Sequence, residues 1–453
     1  MSDGPRIVFI GAGSTVFMKN VIADILRRAA LAGAHVALVD VDAERLAEAG
    51  RVAEALVAQL GVSATFACHH DQRAALAGAD FVIAAFQVGG YMPATAIDFD
   101  IPTAAGLRQT IGDTMGLGGI MRGLRTVPHL WALCEDMMEL CPEALLLQYV
   151  NPMAINTWSI ARRYPGIRQV GLCHSVPLSI LELSQDLQIP VETMRYRCAG
   201  INHMAFFLEL SQVQSDGSLR DLYPALREGY AAGVLPRPDN RTYPRCANLV
   251  RYEMMGRLGY YVSESSEHFA EYTPWFIKQS RPDLIEKYQI PLDEYPKRCE
   301  EQIDEWKARQ ARLDASGEID LSTRVEEAAD IVHAVWTDTP VRVAGNVPNH
   351  GYVPQLPEGC AVEVPCFVDG NGVQPSVVSD IPPQLVALMR TNVNVQELTV
   401  AALIEEKREH IYHAAMLDPH TGAELDLEQI WQVVDKLIQA HGVLLPHWVH
   451  ARD

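Results

Sequence analysis

"RIVFIGAGSTVF", residues 6–17, is the stretch on which the fold turns. A β-branched, apolar run meets two glycines, and apolar residues then recur at helical spacing over 15–31. Strand, glycine turn and helix in that order form the context of a dinucleotide-binding fingerprint. Gly11 suits the tight turn, while Gly13 and Ser14 let a pyrophosphate reach the backbone at the helix N-terminus. The third glycine position of the strict pattern holds Val16. A second strand, "AHVALVDVD" (34–42), carries Asp40 near its end. That carboxylate is suited to both ribose hydroxyls and would repel a 2′-phosphate, so NAD+ is the expected cofactor. The plain alternative is a strand–turn–helix whose Asp caps the next helix. "FQVGGY" (86–91), with Gly89, is expected to close over the nicotinamide half.

Outward from this unit, apolar runs alternate with helical patterns. A helix is expected from Ala43 to Leu60, with strands at 64–68, 81–86, 144–150 and 168–173 and helices near 122–140 and 153–163. Such alternation predicts an α/β, Rossmann-like, doubly wound parallel sheet over residues 1–195. Beyond it the pattern changes. Hairpins are expected at 209–219, turning at Asp216-Gly217, and at 363–375. Helices are expected near 303–313, 323–336, 384–413 and 426–441. No flexible linker separates the halves, so residues 196–453 are read as an intimately packed α+β domain for substrate, metal and oligomerisation.

The bulk composition narrows the function classes. The chain has 453 residues, 48% of them hydrophobic, and a formal net charge of −20. That charge disfavours nucleic acid and anionic membranes as partners. Its 9 cysteines show no disulfide-scaffold spacing. "MSDGPRIVFIGAGS" lacks the long apolar core of a signal peptide, and no run reaches the ~18–20 apolar residues of a membrane span. A reduced, soluble, cytoplasmic protein is expected.

Two short stretches stand out chemically. "VGLCHSV" (170–176) sets Cys173 beside His174, and "CAGINHMAFF" (198–207) sets Asn202 beside His203 before an apolar run. A thiolate with a neutral imidazole suits a borderline divalent ion and leaves positions open for substrate. The bland readings are a buried apolar Cys and a satisfied core His. A 2-hydroxy-acid dehydrogenase would instead need a His–Asp pair and a carboxylate-binding Arg, and no such set stands out.

With "FIGAGSTVF", "IGDTMGLGGIMRGLRT" (111–126), "YVNPMAINTW" (149–158), "GLCHSV", "RYRCAGINHMAF" (195–206), "VRYEMMGRLGYYVSESSEHFAEYTPWFIK" (250–278) and "MLDPHTGAEL" (416–425), the chain strongly resembles family 4 glycoside hydrolases almost end to end. Within that family it is most similar to members that split melibiose-type α-galactosides. The resemblance implies catalytic NAD+ and a divalent metal, usually Mn2+, held by Cys173 and His203. It also implies oxidation at C3 of the sugar, deprotonation at C2, elimination at C1, water addition and re-reduction. Such NAD-dependent chemistry is a recognised exception to glycoside hydrolysis by two flanking carboxylates.

Further roles follow from the resemblance. Asn151 and Asn202 are expected beside cofactor and substrate. His174 is expected to protonate the leaving oxygen, and Asp113 or Tyr252 to act as the base at C2. "SESSEHFAEYTPW" (263–275) offers Glu264, Glu267, His268 and Trp275 to the sugar. Phosphosugar-specific relatives carry an Arg after the loop matching "VGGYMPA"; here Tyr91, Met92, Pro93 and Ala94 follow, which favours a neutral sugar. A homodimer or homotetramer is expected by analogy. The competing readings are an α-glucuronidase or α-galacturonidase of the same family, a lactate/malate-type dehydrogenase, and a non-catalytic NAD-binding regulator.

Overall fold

The computed structural model describes residues 4–237, 247–316, 319–321 and 326–451. Six short strands come first: β1 (Arg6–Ile10), β2 (His35–Val39), β3 (Thr65–His69), β4 (Phe81–Ala84), β5 (Leu145–Gln148) and β6 (Gln169–Gly171). They pair in parallel in the order β3-β2-β1-β4-β5-β6. Parallel pairing needs crossovers, and the helices Thr15–Leu26, Ala43–Leu60, Gly116–Leu140 and Met153–Arg163 supply them. Alternate residues of β1 face opposite layers. Ile7 and Phe9 pack with Met18, Ile22 and Leu38, while Val8 and Ile10 pack with Val82, Leu133 and Met137. Both faces are therefore covered, and the central strands read as continuous apolar runs for that reason.

The sheet does not stop where the parallel strands end. β7 (Met194–Ile201), β8 (Met204–Val213), β9 (Leu219–Asp221), β10 (Val341–Pro348), β11 (Ala361–Asp369) and β12 (Gly372–Pro375) extend it. The order continues β6-β10-β11-β7-β8-β9, with antiparallel pairing throughout this part, and β12 pairs with β11. The purely parallel sheet expected at the N-terminus is thus one part of a mixed sheet. Residue 195 is the second residue of β7.

Local expectations can be set against these elements. Helices occupy Ala43–Leu60 and Met153–Arg163 as read from the pattern, and both hairpins form. The helix expected at 323–336 runs Glu327–Thr337, and residues 323–325 lie outside the described residues. The helix Ser175–Leu187 and strand β10 have no counterpart among the expected elements. Among the described residues, no helix is long and apolar enough to cross a membrane, and the 8 described cysteines are free thiols.

Candidate active site

The strand ends of β1 and β2 build the first half of the site. Gly11 sits at φ +91°, and a Cβ there would lie 2.2 Å from the Ala85 carbonyl oxygen. Only glycine tolerates both demands. Gly13 donates its N–H to Asp40 Oδ2 at 2.7 Å, and a Cβ there would lie 2.6 Å from that oxygen. The Asp40 carboxylate therefore closes against the glycine loop, and it is Asp42 that caps the helix Ala43–Leu60. Ser14 precedes the helix Thr15–Leu26, which has no side-chain cap and no acid in its first turn. A helix start of that kind accepts an anion. Gly89 lies in the loop after β4, where the Arg125 Nε–H holds the Val88 carbonyl at 3.2 Å.

The second half forms where β6 and the β7–β8 turn converge. His203, at φ +62° in that turn, points Nε2 at Cys173 Sγ, 3.2 Å away, and at Glu264 Oε2, 3.3 Å away. The ligating atoms of Cys173, His203 and Glu264 all lie within 4.8 Å of one another. His203 Nδ1 meets the Tyr272 hydroxyl at 2.9 Å, which fixes the ring with Nε2 toward Cys173 and Glu264. His268 lies edge-on to His203, with ring centroids 4.7 Å apart, and its Nδ1 meets Ser265 Oγ at 2.9 Å. Burial alone would raise the Glu264 carboxyl, but His203, His268 and the Ser265 N–H hold it down to about 2. Burial and the nearby Glu264 and Glu363 push the Cys173 thiol well up. A bound cation reverses that balance, because the thiolate is the form that ligates.

Asp113 stands beside this cluster. The buried Glu271 accepts the backbone N–H groups of Thr110, Ile111 and Gly112 and so fixes the loop that carries it. Asp113 accepts from Asn151 Nδ2 at 3.0 Å and from Thr114 Oγ1 at 2.7 Å, with Arg122 Nη1 at 3.7 Å. Burial opposes its charge, yet Arg122, His268 and the Thr114 bond outweigh burial and hold its carboxyl below the ordinary value. Asn202 is buried, and neither polar atom of its side chain has a hydrogen-bond partner among the described residues. Such an amide costs free energy unless a ligand satisfies it. The donor set and this orphaned amide fit a metal with a hydroxyl-bearing substrate, and the glycine cradle fits a dinucleotide.

Three expectations need correction. Tyr252 does not join the ligand cluster: it is fully buried, its hydroxyl donates to Asp186 Oδ2 at 2.7 Å, and its ring stacks on Tyr230. Burial beside Tyr261 and Asp186 raises its pKa well above the ordinary value, the wrong direction for a base. Glu267 is likewise occupied, by Arg298. The neighbours Cys173 and His174 part company. Cys173 turns to His203, whereas His174 Nε2 meets Glu326 Oε2 at 2.6 Å and its ring packs against Phe17 and Tyr149. Glu264 is a ligand candidate rather than a sugar contact. Tyr272 and Arg122 belong to the site without having been singled out by sequence reasoning. Their only sequence signal is membership of the blocks 111–126 and 250–278.

The comparisons with known proteins agree with this geometry. Residues 6–189 match the model for "Family 4 glycosyl hydrolase", and residues 198–421 match that for its C-terminal domain. The chain is a family 4 glycosyl hydrolase. It is 44% identical to an alpha-galactosidase of Bacillus subtilis (strain 168), over 98% of this chain and 99% of that one. It is 31% identical to an alpha-galactosidase of Rhizobium meliloti (strain 1021), over 99% and 90% respectively. A solved 6-phospho-alpha-glucosidase from gut microorganisms, in complex with NAD and Mn2+, has the same fold with a TM-score of 0.78. It is 21% identical and covers 98% of this glycosyl hydrolase and 99% of its own chain. Family membership sets aside the plain dehydrogenase and the non-catalytic regulator.

Proposed function

We propose that this glycosyl hydrolase is an NAD+- and divalent-metal-dependent α-galactosidase acting on small melibiose-type α-galactosides. The carrying observation is the convergence of Cys173, His203 and Glu264 beside the orphaned Asn202 amide. Gly11, Gly13, Ser14, Asp40 and Gly89 would hold NAD+, and Cys173, His203 and Glu264 would hold Mn2+ or a similar ion. When bound, the pair supplies reversible hydride acceptance and Lewis-acid polarisation of a sugar oxygen.

The protein's own residues do the rest. Asn202 and Asn151 donate to and accept from sugar hydroxyls, which sets the ring's orientation. Asp113, held ionised by its contacts with Asn151, Thr114 and Arg122, takes the proton from C2 in this reading. His174, with Glu326 beside it, returns a proton to the departing oxygen in this reading. Water then adds at C1, so the net reaction is hydrolysis.

A neutral sugar is favoured over a uronide by one contact. Arg122, a guanidinium beside this end, already faces Asp113 at 3.7 Å, so a sugar carboxylate there would meet an anion. The 44% identical alpha-galactosidase supports the same choice. The test is hydrolysis of p-nitrophenyl α-galactoside and α-galacturonide with NAD+, Mn2+ and reductant. Galactoside cleavage without NADH accumulation, slowed by deuterium at C2, is expected. Cleavage that survives removal of NAD+ and metal, or a preference for the uronide, would overturn the reading.

A further inference from the structure

The two strand arms that carry Cys173 and His203 are not neighbours. Between β6 and β7 lie β10 and β11. Three strand spacings of about 4.8 Å put roughly 14 Å between those arms. Yet Sγ and Nε2 approach to 3.2 Å, so the chain beyond β6 and beyond β7 converges before the two side chains meet. Their meeting depends on how the four strands are held together.

That seam is thin. β10 and β11 pair along the whole of β10, but a single registered pair, Asn346 with Gly171, joins β10 to β6. A single pair, Glu363 with Gly200, joins β11 to β7. Asn346 and Glu363 are themselves cross-strand partners. One transverse row therefore runs Gly171, Asn346, Glu363, Gly200, two residues below Cys173 at one end and three below His203 at the other.

Side chains reinforce this row. Asn346 Nδ2 donates to the Gly171 carbonyl at 3.3 Å and to Glu363 Oε1 at 3.0 Å. Both residues are buried, at 0% and 1% exposure, although apolar residues surround them along the same strands. Asn346 Oδ1 and Glu363 Oε2 have no hydrogen-bond partner among the described residues. An apolar pair would avoid that desolvation cost, so a polar pair here signals a task other than stability. Glu363 is also close enough to act electrostatically on both Cys173 and His203.

We propose that Asn346 and Glu363 are positioning residues that brace the Cys173 arm against the His203 arm and so set the divalent-metal affinity of the site. This rests on the reading that Cys173 and His203 hold the metal. Asn346 acts through Gly171 and Glu363 through Gly200, and the Glu363 charge adds to the brace. Partners of this kind are worth about 10- to 100-fold in metal affinity where they orient ligands directly.

The experiment measures Mn2+ and NAD+ dissociation constants separately by calorimetry on the full chain. Asn346→Leu and Glu363→Ala are expected to weaken Mn2+ by about 10-fold or more while NAD+ affinity stays within about two-fold. Glu363→Gln keeps an oxygen for Asn346 and is expected to rescue most of the loss. Wild-type Mn2+ affinity in both variants would overturn the proposal, as would a parallel loss of Mn2+ and NAD+ affinity. If Asn346→Leu does not fold, Asn346→Ser takes the same measurement with the same criteria. Cys173→Ser separates the two readings: if it binds Mn2+ as the wild type does, the metal assignment fails, whatever the brace variants show.

Discussion

The nucleotide end and the metal end of this site are built in opposite ways. Gly11, Gly13, Ser14 and Asp40 come from one contiguous β1–helix–β2 unit, and their contacts follow from a turn and two adjacent parallel strands. Cys173, His203 and Glu264 come from three elements, and non-neighbouring strands bring them together. A local unit tolerates change elsewhere because its geometry is set by short-range backbone constraints. A convergent site inherits every error in the sheet between its parts. The two ends should therefore respond separately to mutation, and the first two experiments below test that separation.

The largest effect is expected at the metal end. Cys173→Ser removes the soft donor, and loss of several kcal/mol of Lewis-acid stabilisation corresponds to a fall in kcat of about a thousand-fold or more. NAD+ affinity should not change; a matching loss of NAD+ binding would merge the two ends. Gly13→Ala is the mirror experiment. Its Cβ would lie 2.6 Å from Asp40 Oδ2 and 2.9 Å from Arg45 Cβ, so the loop must shift. NAD+ binding should weaken by about 10- to 100-fold, roughly 1.4–2.8 kcal/mol, with Mn2+ affinity unchanged.

Smaller effects sharpen the boundary of the metal end. Tyr252→Phe removes the hydroxyl bonded to Asp186 and should cost about 1–2 kcal/mol in denaturant stability. The kcat should hold, since Tyr252 lies off the ligand cluster; a large kcat loss would return it to the chemistry. Glu327→Gln tests the seam, because Glu327 accepts the Ala344 N–H of β10. Desolvation pushes the Glu327 carboxyl up to about 8, so the folded state keeps a proton that the unfolded chain releases above its ordinary value of 4.5. Between those values the folded state binds more protons, and stability falls as pH rises. Glu327→Gln should flatten the decline of Tm between about pH 5 and about pH 8, the span those two values set. An unchanged slope would place the charge burden elsewhere.

How legible each end was follows from the same contrast. The strand, turn and helix around Gly11 were readable because glycine conformational freedom and apolar periodicity are local properties. So were the helices Ala43–Leu60 and Met153–Arg163 and both hairpins. Cys173 and His203 stood out as a thiolate and an imidazole suited to one ion, but nothing in their spacing along the chain dictates contact, and the family resemblance carried the pairing. Glu264 lies inside a recognised block but reads there as a sugar contact, because its role depends on which strand end it faces. Tyr252 and Tyr272 are both tyrosines in that block. One packs against Asp186 and the other against His203, and no local pattern separates them.

The sequence by itself determined most elements of the parallel half, the nucleotide loop and the family, because backbone preference and side-chain periodicity act over a few residues. Only the tertiary structure decided that His174 meets Glu326, that Glu264 faces His203 and Cys173, and that Asn346 and Glu363 lie in one row across the sheet. Those facts depend on strand order. In this chain β10 and β11, far downstream of β7 in sequence, insert between β6 and β7. That insertion is a consequence of global packing, and no short stretch of the chain encodes it.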